Sequence, residues 1–249
     1  MCITTYLTVR FSARDIRTCS NPGLTAVRFK YSPDRHLTPP AATVEAYNQF
    51  KTRLGIDRSV LVHGLSYGHD CTSLSTFIEE LDKSNTVGVG VISRSTTDAE
   101  LNKLNSHGVC GIRLDLYSEG AMHDLAKQKE MLIYYSERIK ALGWSLAFLQ
   151  LEPANWEPLS KLVPTLPVPV ITDHHALLKA KSMLPAGADV LAQPGLAPIL
   201  SMLKSGNFWI KLSAPYRSSD MAPHYEDMEE LVKCLVAANP HRVVWGSDW

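Results

Sequence analysis

Short runs of apolar, mostly β-branched residues alternate along the chain with longer stretches whose apolar positions recur at helical spacing. The strand-like runs are SVLVHGL (59–65), TVGVGVI (86–92), GIRLDL (111–116), SLAFLQL (145–151), VPVITDH (168–174), FWIKLSA (208–214) and RVVWGSD (242–248). Most are apolar on both faces, the pattern of parallel strands covered by helices on each side. The spacing predicts helices over 43–54, 71–82, 97–107, 121–142, 156–163, 196–204 and 225–238. The stretch STTDAELNKL offers Ser and Thr caps followed by acids, a helix start signal. Leu54-Gly55, His107-Gly108 and Leu142-Gly143 supply glycine where a helix must stop.

Seven βα repeats without a GxGxxG or GxxxxGK[ST] loop favour a TIM-like (β/α)8 barrel over a doubly wound sheet. The length of 249 residues suits one such barrel. The eighth strand must come from 3–11 or 24–31. Residues 1–28 are therefore expected as an irregular N-terminal segment or substitute first strand, and 29–249 as one barrel domain. The last predicted strand ends at Trp249 with no closing helix after it. The reading is of a barrel with an incomplete first strand and a missing last helix, truncated at both ends.

Composition narrows the partners. Hydrophobic residues make up 45% and charged residues 20%, ordinary globular usage. Lys plus Arg number 25 and Asp plus Glu 25. That balance provides no electrostatic footprint for nucleic acid or an anionic membrane. No apolar run reaches the length of a membrane span. The cysteines (Cys2, Cys19, Cys71, Cys110, Cys234) never fall at CxxC spacing, which argues against a disulfide scaffold or zinc ribbon and fits a reducing compartment. The first twenty residues carry Arg10, Arg14 and Arg17 against Asp15 but no continuous apolar core. A cytoplasmic protein is expected, with a mitochondrial targeting segment as the alternative.

Barrels of this kind carry reactive groups at the C-terminal ends of their strands. His63, Arg113, Gln150, Asp173, His174, Lys211, Ser213 and Asp248 fall there. The plainer readings are strand-end caps for Asp and Ser, and buried, satisfied histidines. Ser66 and Tyr67 in LSYGHD either make a turn or donate to a substrate. Asp173 alternates away from His174 along an extended strand, so it is expected to orient a neighbour from behind, and His175 to be structural.

Taken together, VITDHHA, FWIKLSAPYR and HRVVWGSDW, preceded by YSPDRHLTPPAAT, GIDRSVLVHGLSYGHD and HGVCGIRLDL, resemble the amidohydrolase-related (amidohydrolase 2) family of the metal-dependent hydrolase superfamily. The similarity is to its 2-pyrone-4,6-dicarboxylate lactonase-like branch and runs over about residues 29 to 249. The resemblance implies a hydrolase in which His174 polarises a substrate carbonyl and Asp248 is the general base for water. It also implies that Arg113 and Arg217 hold substrate carboxylates, with Ser66 as a further substrate-binding candidate. A general base and a donor to the developing oxyanion are what lactone opening needs. Forked guanidinium groups suit a planar carboxylated substrate. The implied substrate is a small anionic, carboxylated molecule.

The sequence departs from this family at several points. There is no HxH where the family's first strand carries one, nor any HxxxH or HExxH. A divalent-metal ligand set is therefore incomplete, and no cofactor and no metal ligand are expected. A family arginine beyond GIRLDL falls near Glu119, and a first-loop tyrosine near His36 and Leu37. These departures keep two alternatives in view: a catalytically impaired homologue that keeps the scaffold, and a metal-dependent decarboxylase or amidase, against which the missing HxH counts most.

Overall fold

The computed structural model describes residues 7–10, 29–35, 38 and 43–248, which form two compact units, one up to Arg113 and one from Leu114 to Asp248. The first runs β1 (Leu7–Arg10), α1 (Val44–Leu54), β2 (Ser59–Val62), α2 (Thr72–Glu80), β3 (Thr86–Gly90), α3 (Asp98–Ser106) and β4 (Val109–Arg113). Its four strands pair in parallel and in chain order. Leu61, Val62, Val89 and Ile112 of the sheet are buried, as are Leu74, Phe77 and Ile78 on α2 and Leu101 on α3. Helix α2 lies so close to β3 that a Cβ on Gly88 would come within 2.8 Å of Ile78. The predicted start signal is used in full: Thr97 and Glu100 form a reciprocal capping box on α3.

The second unit runs α4 (Leu125–Ile139), β5 (Ser145–Ala147), α5 (Trp156–Leu159), β6 (Val170–Thr172), α6 (Leu196–Ser205), β7 (Phe208–Leu212), α7 (Glu229–Ala238) and β8 (Val243–Trp245). Strands β5 to β8 again pair in parallel and in chain order. Their core is aromatic at its centre. The fully buried Trp156 meets Phe148 and Phe208 edge-on, with ring centroids 5.9 and 5.3 Å away. Ile199 and Leu203 of α6 and Leu231 and Leu235 of α7 are also buried.

All seven predicted strands are present, but most are shorter than their apolar runs. Strand β6 stops at Thr172 rather than His174 because the backbone turns left-handed from His174 to Leu177. Helix α4 begins at Leu125 rather than 121, where the Asp124 side chain accepts the Lys127 N–H and caps it. Helix α7 begins at Glu229 rather than 225 because Tyr225 adopts φ 53°. Of the two candidates for the remaining strand, 3–11 contains β1. Residues 24–28 of the other lie outside the described residues. Among the described residues no helix is long and apolar enough to cross a membrane.

Gly195 precedes α6 at φ +87°, and a Cβ there would meet the Pro153 carbonyl oxygen at 2.2 Å. Left-handed backbone and a backbone clash act together, so Gly195→Ala is expected to cost more than about 2 kcal/mol. Urea unfolding checks this: the midpoint should fall with the slope unchanged. An unmoved midpoint would contradict the packing described.

Candidate active site

Lys211 in β7 and Ser213 just beyond its end project to the same side, because side chains alternate along extended chain. That side meets two consecutive residues at the end of β6. Lys211 Nζ forms a buried ion pair with the Asp173 carboxylate. Ser213 Oγ accepts the His174 backbone N–H at 3.2 Å and lies 2.9 Å from His174 Nδ1. The chain then passes through four successive non-glycine residues, His174 to Leu177, with φ between 54 and 56°. Each left-handed residue costs roughly 1–2 kcal/mol. Hydrogen bonds from Ala176 N–H to the Asp173 carbonyl (3.0 Å) and Leu178 N–H to the His175 carbonyl (3.2 Å) close this turn.

His175 is buried in the same turn and hydrogen-bonds the Ser213 carbonyl. Its Nδ1 has no hydrogen-bond partner among the described residues. Burial pulls its pKa down to about 4, against the smaller opposing effect of the Ser213 bond. At neutral pH it is therefore uncharged.

Asp248 follows β8, and its side chain is only 5% exposed beside a His174 side chain at 3%. Its Oδ1 lies 3.8 Å from His174 Nε2, and its Oδ2 lies 3.8 Å from Arg217 Nη2. Tyr216 donates its hydroxyl to the same Oδ2 at 2.5 Å, and the Arg217 guanidinium lies 5.3 Å from the Tyr216 ring centroid. Burial, and then the bond to Asp248, raises the pKa of Tyr216. A separation of 3.8 Å exceeds the roughly 2.7–3.2 Å of a direct N–H···O bond. Histidine and arginine thus flank the carboxylate, each with a gap, while the phenol caps it.

The structure therefore brings His174, Arg217 and Asp248 together within one unit. Arg113 and Ser66 lie in the other unit, with His63. There, burial holds the His63 pKa at about 4, partly opposed by a Gly68 backbone hydrogen bond and by Asp70 and reinforced by Arg113. His63 Nε2 has no hydrogen-bond partner among the described residues. Ser66 is buried in a short turn, Leu65–Tyr67, and its carbonyl accepts the Ser32 N–H at 2.8 Å. Gln150, a strand-end candidate, is a staple instead. It donates to Gln128 Oε1 at 2.6 Å and accepts the Glu152 N–H at 2.9 Å. Asp173, expected to orient a neighbour, binds Lys211. Tyr216 was not singled out from the sequence, and its only signal there is its place beside Arg217 in APYR.

A cavity of about 480 Å³ lies between α2 and α3. Several of its charged residues are engaged locally: Asp70 with Thr72, Glu100 with Thr97, and His107 with Glu79 at 3.9 Å. The superfamily to which the sequence is similar often uses a divalent ion. Among the described residues no three His, Cys, Asp or Glu side chains are grouped to hold one. His174 Nδ1 is engaged by Ser213 and Asp173 by Lys211, whereas a catalytic zinc takes three protein ligands. Among the described residues the donor set does not fit the ion.

Comparison with known proteins agrees with this architecture. The amidohydrolase family profile matches residues 17–249. A 4-sulfomuconolactone hydrolase of Rhizobium radiobacter is 30% identical over 91% of this chain and 72% of its own length. A 2-pyrone-4,6-dicarboxylate hydrolase of Comamonas testosteroni is 27% identical over 89% of this chain and 72% of its own. A ligand-free crystal structure from Agrobacterium tumefaciens superposes with a TM-score of 0.76 at 23% identity, over 99% of this chain and 81% of that one. The chain thus has the parallel α/β fold of the amidohydrolase barrels.

The depressed pKa of His175 has a consequence for stability. Between pH 6.5 and 4 the unfolded chain protonates this imidazole and the folded one does not, so stability falls as pH falls through that window. The loss should approach about 3 kcal/mol near pH 4. Urea midpoints measured from pH 7 to 4.5 should drop in the native protein and drop less in His175→Phe. Equal pH dependence in both would remove His175 as the cause.

Proposed function

This chain belongs to the amidohydrolase family, and we propose that it hydrolyses a lactone bearing an anionic substituent. The observation that carries this reading is the buried Asp248 carboxylate, flanked at 3.8 Å by His174 Nε2 on one oxygen and Arg217 Nη2 on the other. Asp248 takes a proton from water as its oxygen attacks the lactone carbonyl. His174 donates a hydrogen bond to the oxygen on which negative charge develops. The ring C–O bond breaks, and the proton held by Asp248 returns to the leaving oxygen. Arg217 binds the carboxylate or sulfonate of the substrate through its forked N–H groups, and Tyr216 swings away to admit it. The names of the relatives, one hydrolysing a sulfo-substituted muconolactone and one a pyrone dicarboxylate, support an anionic lactone as the class.

A second reading rests on the absence of HxH and on Glu119 standing where the family resemblance implies an arginine. In it the scaffold persists and turnover is impaired, since misplacing a substrate by about 1 Å can cost about 10²-fold in rate.

Ring opening is followed by loss of lactone absorbance across pyrone and muconolactone substrates, with and without carboxylate or sulfonate groups. Turnover is expected only for the anionic ones. Asp248→Asn should lower kcat by about 10²- to 10⁴-fold. Arg217→Gln should raise KM for anionic lactones, and dialysis against a chelator should leave the rate intact. Turnover that survives Asp248→Asn would exclude Asp248 as the base. No turnover of any lactone would favour the impaired homologue.

A further inference from the structure

We propose that Ser213 is the positioning residue that fixes the tautomer of His174, with the imidazole proton on Nε2 facing Asp248. The catalytic value of this role rests on the hydrolytic reading above, but the tautomer does not. Ser213 is 3% exposed, so its hydroxyl proton needs a protein acceptor. A serine hydroxyl carries one proton and two lone pairs. One lone pair accepts the His174 backbone N–H. Among the described residues the other partner of Oγ is His174 Nδ1, at 2.9 Å. The hydroxyl therefore donates to Nδ1, and a neutral ring that accepts there carries its proton on Nε2.

That proton points toward Asp248 Oδ1, 3.8 Å away, where attraction to the carboxylate reinforces it. The other tautomer would turn a lone pair toward a carboxylate and leave a buried hydroxyl proton without an acceptor. Ser213 is itself held. Its carbonyl is bonded by His175, and Ala214 after it takes φ 50°. One serine thus orients two successive imidazoles, His174 through its side chain and His175 through its backbone. Within the proposed reaction, His174 presents N–H rather than a lone pair to the carbonyl oxygen.

The test uses the full chain labelled with 15N-histidine. Long-range proton–nitrogen correlation spectra at neutral pH report which ring nitrogen bears the proton, and the His174 signals are identified by their loss in His174→Gln. The expected wild-type result is a single proton on Nε2. Ser213→Ala keeps the backbone bond to His175 but should release His174 into a mixture of tautomers. Ser213→Thr, which keeps the hydroxyl, should restore Nε2–H. A proton on Nδ1, protons on both nitrogens, or an unchanged tautomer in Ser213→Ala overturns the proposal. If Ser213→Ala does not fold, the wild-type spectrum still decides.

On any lactone the wild type opens, Ser213→Ala should lower kcat by about 10- to 100-fold with KM nearly constant, the signature of an interaction made in the transition state. Ser213→Thr should recover most of the rate. If no lactone is opened, the hydrolytic reading falls, and the spectra still decide the tautomer.

Discussion

The second unit depends on a charge pair buried between two strand ends. Lys211 and Asp173 are each almost fully enclosed, and neither can be tolerated there alone, because an unpaired charge out of water costs several kcal/mol. Each residue therefore dictates the position of the other, and so the stagger of β6 against β7. The register that pairs Thr172 with Ile210 follows the same arrangement. Once Asp173 is held, the next residue, His174, is held as well, and Ser213, two residues beyond Lys211, reaches it. The lysine and aspartate set the frame in which the groups flanking Asp248 meet.

Asp248 is fixed in a different manner. It follows β8 at φ 54°, with its carboxylate turned inward under Tyr216. Desolvation makes each interaction around it stronger than it would be in water. Tyr216, whose hydroxyl covers the carboxylate, is itself 54% exposed.

The alternation of strand-like and helix-like segments carried most of the fold, because parallel strands covered on both faces leave apolar runs that periodicity detects. The residues of this site were legible by two routes: His174 and Asp248 fall at strand ends, and Arg217 sits in a string that resembles a family's motif. Side-chain reach was not legible. Gln150 and Ser213 both occupy strand-end positions, yet one turns into a network with Gln128 and the other onto an imidazole, a difference set by rotamer and neighbour. Nor did the sequence announce the turn after β6. Left-handed backbone usually advertises itself through glycine or asparagine, and His174-His175-Ala176-Leu177 contains neither.

That turn weakens an ordinary rule of substitution. Replacing a residue by glycine normally loosens a protein by enlarging the freedom of its unfolded chain. Across 174–177 the native backbone already occupies the region glycine prefers, so Ala176→Gly removes a Cβ penalty of about 1–2 kcal/mol. Against that stand the entropy it adds and the fully buried methyl it loses, about 0.8 kcal/mol, so the usual cost nearly cancels. The histidines are held in the turn against this local preference, by the anchors that grip them from β7. Strain of this kind makes the segment sensitive to distant changes: anything that weakens the grip at Lys211 lets the backbone relax toward ordinary φ values, and the imidazoles leave with it.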